Sequence, residues 1–590
     1  MRTALCLLPA ALLAQVPSQP WQASPAVMPG VLARYEADRE SLDRHWTVPE
    51  GPARRARFEA FRTEWTRALE TVDLRPLSGD DRLDLLLFRR HLAAEGAAAR
   101  EADRRRLELV PLLPGAEELR SLCEARRRRE AQDPQACAEQ LHALAKGLES
   151  LDRELERGGR KVEAVPALRA ARQATELQLQ LRAWADYTQG YDPLFTWWCA
   201  QPVKALEAGL GAHAELLKAR FGGLDPKQKD AIAGDPIGRE ALVRALAEES
   251  LAYSPEEILE IGRREMAWCE AELKKAARAL GCGDDWRAAL EKVKRTYVAP
   301  GAQPELIRTL ADEAVQWLEA RQLIRIPALA KEDWRMEMMS AERQKVAPFF
   351  LGGESILVSY PTADMAHGDK LMSLRGNNPA FSRAVVHHEL IPGHHLQLFM
   401  NARHAAHRRL FETPFSIEGW ALYWELRLWD LGFARTPEER MGMLFWRMHR
   451  CARIFFSFGF HLGKLSPQEC VELLVTQVGH EHANAEGEVR RSLQGGYGPL
   501  YQAAYMLGGL QYRALHRELV GTGKLSEPDF HDAVLMNGPI PVELLRAKLL
   551  GLDLGVNQRD NSGAAGAGVN TTSTGMGADL LVHVDGLTAL

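Results

Sequence analysis

Histidine is the least evenly spread residue in this chain. Six of its eighteen lie between His387 and His407, four of them in the run His387-His388-Glu389-Leu390-Ile391-Pro392-Gly393-His394-His395-Leu396-Gln397. Neutral imidazoles bind zinc, and a neighbouring carboxylate serves as general base on an attacking water. His-Glu followed by a further His is the vocabulary of helical zinc hydrolases, whose two His sit one turn apart. The spacing here is different. On an unbroken helix His388 and His394 point about 240° apart, at about 100° per residue. His388 and His395 share a face but stand about 10 Å apart, too far for one ion. Pro392 lacks a donor and clashes with the carbonyl four residues back, while Gly393 permits unusual dihedrals. The pair predicts a break that returns His394, or else His395, to the metal.

Glu418 follows His394 by 24 residues, in Ile417-Glu418-Gly419-Trp420-Ala421-Leu422-Tyr423-Trp424-Glu425. A carboxylate from this second helix completes two His and one Glu, with water in the open position. Glu425, seven residues on and on the same face, is the reserve ligand or an outer partner. Amide hydrolysis also needs a group to stabilise the developing oxyanion. Tyr505 is the first candidate, with Tyr501 and Tyr497 as alternatives, and His461 or the pair His480 and His482 as further partners. Arg490 and Arg491 precede a Gly-rich turn and suit a bidentate grip on a carboxylate.

The histidine run resembles the signature H-E-x-x-P-G-H-H-x-Q of the bacterial domain-of-unknown-function family 885, through His388, Glu389, Pro392, Gly393, His394, His395 and Gln397. Glu418-Gly419-Trp420-Ala421-Leu422-Tyr423 resembles that family's E-G-W-A-x-Y block. Arg453 to His461 resembles a segment ending in Gly-x-His, with Ser457 where the family usually carries Asp. Tyr501 to Gly508 resembles its Q-A-x-Y-x-x-G block. The likeness spans roughly Ser254 to Leu550. In outline the family is similar to helical metallopeptidases of the thimet-oligopeptidase and angiotensin-converting-enzyme type, which also place a zinc Glu some two dozen residues after the second His. That similarity implies a cleft-bearing helical fold and a peptidase-like activity.

The expectation is a zinc-dependent hydrolase of peptide or related amide bonds. His388, His394 and Glu418 hold Zn²⁺, Glu389 activates the water, and Tyr505 or His461 stabilises the intermediate. Two other classes stand beside it. One is a non-catalytic helical peptide-binding protein with a structural His cluster. The other is an iron or manganese enzyme such as a lyase, because two His and one carboxylate also suit those metals.

The elements that must position these groups are mostly helices. The 590 residues are 46% hydrophobic and 26% charged, ordinary globular values, with Ala, Leu, Glu and Arg prominent. Lys+Arg 74 against Asp+Glu 79 gives a net charge of −5 and no overall attraction to nucleic acid. The Arg-rich runs Arg104 to Arg106 and Arg126 to Arg129 are bracketed by acids and read as solvated helix faces. Residues 30–280 carry helical pattern, as do residues 381–550. Between Ala347 and Pro379, Gly, Pro and β-branched residues gather, and Ser355 to Tyr360 reads as a strand.

The reading is therefore a large, two-lobed, mostly α fold with a small sheet near the active site. Its parts are a signal peptide over 1–20, an N-terminal helical lobe over 21–250, a catalytic lobe over 251–555 and a tail over 556–590. Ala4 to Ala14 is apolar but short of the roughly 20 residues a membrane span needs, which suits a secretory signal. A periplasmic or secreted protein without stable membrane insertion follows. Seven scattered cysteines beyond Cys6, with no C-x-x-C pair, read as buried thiols and not as a disulfide framework. The tail is rich in Gly, Asn, Ser and Thr and holds the sequon Asn570-Thr571-Thr572.

Overall fold

The computed structural model describes residues 27–223, 232–344, 352–353 and 355–552. The signal peptide and the C-terminal tail with its sequon lie outside these residues. The fold is mostly α-helical, with one two-stranded sheet among the described residues. None of the described helices is long and apolar enough to cross a membrane. The seven cysteines from Cys123 to Cys470 are all free, and six of them are buried.

The chain divides into two compact units, Met1–Ala231 and Ile232–Leu590. In the first, the helices Pro134–Glu156 and Ala164–Asp186 both pack on Pro193–Phe221, around Leu141, Leu148, Ala170, Ala174, Leu181 and Leu206. The small buried alanines Ala167, Ala170, Ala171 and Ala174 let the helix Ala164–Asp186 approach its neighbour closely. The short helix Arg239–Glu248, which the sequence groups with the N-terminal lobe, belongs to the second unit and contacts Pro255–Ala279.

Six helices of the second unit carry the site. In chain order they are α1 (Pro379–Glu389), α2 (His394–Asn401), α3 (Pro414–Asp430), α4 (Pro437–His461), α5 (His482–Gln494) and α6 (Tyr501–Leu519). Local chemistry sets where three of them begin. Asn378, Thr413 and Thr436 cap α1, α3 and α4 with side-chain oxygens, each followed by Pro at the first helical position. Thr436 and Glu439 form a capping box.

The sheet pairs β1 (Arg335–Met338) in parallel with β2 (Ser355–Val358), Arg335 opposite Ser355 and Met338 opposite Val358. Ile356 and Val358 point inward and their neighbours are less buried, the alternation a one-sided strand requires. Just before β2, Gly352 packs on Glu389 so closely that a Cβ there would stand 2.7 Å from the Glu389 carbonyl oxygen. The sheet therefore borders the end of α1.

Candidate metal centre

α1 ends at Glu389, and α2 begins at His394. Between them the Ile391-Pro392 peptide is cis, and Leu390 and Gly393 leave helical dihedrals. The helical ladder cannot pass Pro392, and the residue before a proline is itself turned away from the α region. Gly393 folds back instead, donating its N–H to the His387 carbonyl at 3.0 Å. A side chain has no room there: a Cβ on Gly393 would lie 1.8 Å from the His388 carbonyl oxygen. Trp420 of α3 clasps the break by donating from Nε1 to the Pro392 carbonyl at 2.9 Å, and Gln397 donates to the Ser416 carbonyl.

The break sets His388 and His394 edge to face, with ring centroids 4.8 Å apart at 88°. Glu418 completes the group. Its Oε2 lies 3.1 Å from His394 Nε2 and 3.5 Å from His388 Nε2. One ligand atom from each of the three residues falls within 4.8 Å of the others, and all three residues are buried. Two imidazole nitrogens and one carboxylate oxygen at this separation fit a divalent ion with an open position, and zinc suits the donor set. His395 points elsewhere, its Nε2 2.9 Å from the Ala330 carbonyl. The geometry thus separates two histidines that sequence spacing left open.

An outer ring orients these ligands. His388 Nδ1 lies 2.7 Å from Glu425 Oε1, which turns Nε2 toward the centre. Glu425 also meets Arg450 Nη2 at 3.2 Å. The second oxygen of Glu418 accepts from the Tyr505 hydroxyl at 2.7 Å and from Tyr501. These bonds depend on a close helix crossing. A Cβ on Gly419 of α3 would lie 2.6 Å from the Gly508 main chain of α6, and one on Gly508 would lie 2.2 Å from the Phe415 carbonyl oxygen. Two glycines let the helices approach until both tyrosines reach Glu418.

Electrostatics matches this arrangement. Burial works against the Glu418 carboxylate, but His394 and His388 outweigh it and hold the group well below the usual carboxylate range. Burial likewise opposes the Glu425 carboxylate, and Arg450 and His388 bring it down to about 2. His388 is desolvated too, yet Glu418 and Glu425 push it up to about 9. The two carboxylates thus make the pocket favourable to positive charge, which a bound cation would supply as well as a proton. Burial, reinforced by Glu418, raises the Tyr505 phenol to about 12, so it remains a donor.

Glu389 is half-buried, whereas its neighbours from Ala380 to Leu390 are otherwise nearly all buried. It leaves α1 at the break, one residue from His388.

His461 is not brought to this group. It ends α4 two turns beyond Arg453, about 12 Å along the axis, and its carbonyl accepts from the Gly238 N–H. Burial, partly offset by Asp235, drives its imidazole down to about 4. His480 instead pairs with His449, Nε2 to Nδ1 at 2.9 Å, and His482 is exposed. Sequence reasoning overlooked Arg450, Arg453, His449 and Glu488. Arg453 Nη2 and Glu488 Oε1 stand 2.6 Å apart, both fully enclosed. The available signal is the spacing Arg447, Arg450, Arg453 on an otherwise apolar helix, because charges on a buried face are almost always paired.

Two solved structures share this fold. A candidate lipoprotein of unknown function from Shewanella oneidensis superposes with a TM-score of 0.65 at 16% identity, over 90% of this chain and 100% of that one. A candidate lipoprotein from Colwellia psychrerythraea gives 0.57 at 16% identity, over 89% and 98%. No curated protein matches the chain. The family model described as "Bacterial protein of unknown function (DUF885)" matches residues 30–549, which takes in every helix and strand that builds the site, and the chain belongs to that family.

Proposed function

We propose that this chain is an exported, zinc-dependent hydrolase of peptide or related amide bonds. The observation that carries the reading is the convergence of His388, His394 and Glu418 ligand atoms within 4.8 Å in a buried pocket, one residue from a half-buried Glu389. The outer contacts from Glu425, Tyr505 and Tyr501 support it, since metal ligands need such partners to fix their orientation. The spacing shared with thimet-oligopeptidase-type enzymes supports amide chemistry. The apolar segment Ala4 to Ala14 and the lipoprotein description of the two structural relatives support export.

A zinc ion held by His388, His394 and Glu418 would supply a Lewis acid for the scissile carbonyl and the attacking water. Glu389 accepts the water's proton and passes it to the leaving nitrogen. Glu425 keeps His388 in the tautomer that presents Nε2, and the tyrosine hydroxyls hold Glu418 in place.

Metal analysis of the purified chain tests the reading. About one zinc per chain is expected, with almost none in His388→Ala. Stoichiometric iron, or no bound metal in the parent chain after zinc loading, overturns it.

Glu425→Gln probes the outer ring. The amide keeps the size of the carboxylate but loses the charge that supports His388 and Arg450. Zinc affinity is expected to fall about 10- to 100-fold, measured by competition with a chromogenic chelator. Unchanged affinity would show that Glu425 does not orient the ligand.

A further inference from the structure

Two arginines pack on the Tyr505 ring, and a third lies beside Tyr497. Arg450 and Arg453 hold their guanidinium carbons 4.6 and 4.2 Å from the centre of the Tyr505 ring. Arg491 of α5 donates from Nε to the Tyr497 hydroxyl at 3.1 Å and lies 5.0 Å from that ring's centre. Two carboxylates form ion pairs with the three cations. Glu425 meets Arg450 but also serves His388. Glu488 is taken by Arg453 at 2.6 Å, and Arg491 stands 3.9 Å from its other oxygen. Arg491 therefore shares Glu488 with Arg453 and meets it only at 3.9 Å. Positive charge held away from water is costly unless an anion meets it.

Access singles out which arginine receives that anion. Arg491 keeps 12% of its side-chain surface exposed, against 6% for Arg450 and 3% for Arg453. Its neighbours Tyr497 and Tyr501 are also half-buried, whereas Tyr505 behind them is buried. From Arg491 the path to the ligand set is short. The Tyr497 and Tyr501 rings are 4.3 Å apart, and the Tyr501 hydroxyl donates to Glu418. Two adjacent phenol rings span no more than about three extended residues at about 3.3 Å each.

We propose that Arg491, with the Tyr497 hydroxyl beside it, anchors a substrate carboxylate. The substrates are then peptides that present a carboxylate within about three residues of the scissile amide. A guanidinium fork matches a carboxylate with two parallel hydrogen bonds, a geometry that lysine cannot copy. This assignment of substrate class rests on the hydrolase reading above, so its test reads binding and not turnover.

The zinc-loaded Glu389→Gln chain is dialysed to equilibrium against N-acetylated tripeptides of randomised sequence lacking Asp and Glu. One pool carries free C-terminal acids, a second is amidated, and a third is amidated with Asp or Glu at the last position. Retention is read by mass spectrometry. The free-acid pool is expected to be retained about 10- to 100-fold more than the plain amide pool, as charged hydrogen bonds allow. Arg491→Gln in that chain should erase the preference while leaving amide retention and zinc content unchanged. Arg491→Lys should keep part of it. Tyr497→Phe, which preserves the ring, should reduce it and decides the matter if Arg491→Gln does not fold. Enrichment of the third pool identifies a side-chain carboxylate as a second acceptable source. Equal retention of acid and plain amide pools, or a preference that survives Arg491→Gln, overturns the proposal. A wild-type chain that hydrolyses no peptide counts against the hydrolase reading alone.

Discussion

Replacing Glu389 by Gln is expected to leave zinc in place and to lower peptide turnover by about a hundred- to ten-thousandfold, or about 3 to 5 kcal/mol of barrier. The two halves of that expectation come from different parts of the site. Metal retention follows because the three converging ligand atoms belong to His388, His394 and Glu418, not to Glu389. The amide is nearly the same size as the carboxylate, so it fits the tight space beneath Gly352. Turnover falls because an amide cannot accept the water's proton. The measurement pairs zinc content with kcat on any peptide the parent chain cleaves. An active Glu389→Gln chain would place the base elsewhere. An inactive chain that has also lost zinc would mean Glu389 is needed to assemble the site, a different role from the one proposed.

Much of the positioning framework is written in short stretches of sequence. Asn378-Pro379, Thr413-Pro414 and Thr436-Pro437 each announce a helix start, because a capping oxygen and a proline at the first turn act within four residues. Strand β2 showed itself by its β-branched residues, and Pro392 by the helix it forbids. What local chemistry could not decide is which way the chain turns after the break. His394 and His395 are adjacent, and only the dihedrals of Leu390 and Gly393 send one to Glu418 and the other to Ala330. Contacts between distant helices were less legible still. Tyr505 reaches Glu418 across 87 residues because Gly419 and Gly508 let two helices nearly touch, and neither glycine announces its partner. His461 shares a motif with Arg453, yet helical rise sets it about 12 Å further along α4, while the buried arginines before it approach the tyrosines.

The same break supplies the other large effect. Gly393→Ala is expected to abolish zinc binding and to destabilise the second unit by about 3 kcal/mol or more, the upper end of the usual cost of an added methyl in a closed interior. The reason is the identity of the obstacle. At many crowded glycines the nearest atom is the end of a flexible side chain that can swing aside. At Gly393 the three nearest atoms are the His388 carbonyl oxygen and carbon and the His387 carbonyl oxygen, all main chain. To admit the methyl group, the backbone of α1's last turn must move, and that turn carries His388 and Glu389. Displacement there pulls His388 from Glu425 on one side and from Glu418 on the other. The contrast with Gly509 makes the expectation specific. The three atoms nearest a Cβ there all belong to the side chain of Leu422, at 3.1 Å or more, so Gly509→Ala should cost less stability and keep its zinc. Thermal unfolding and metal content of the two variants, measured side by side, check the argument. If Gly393→Ala binds zinc as tightly as Gly509→Ala does, the break at Pro392 is not what brings His394 to the metal, and the ligand set has to be assigned anew.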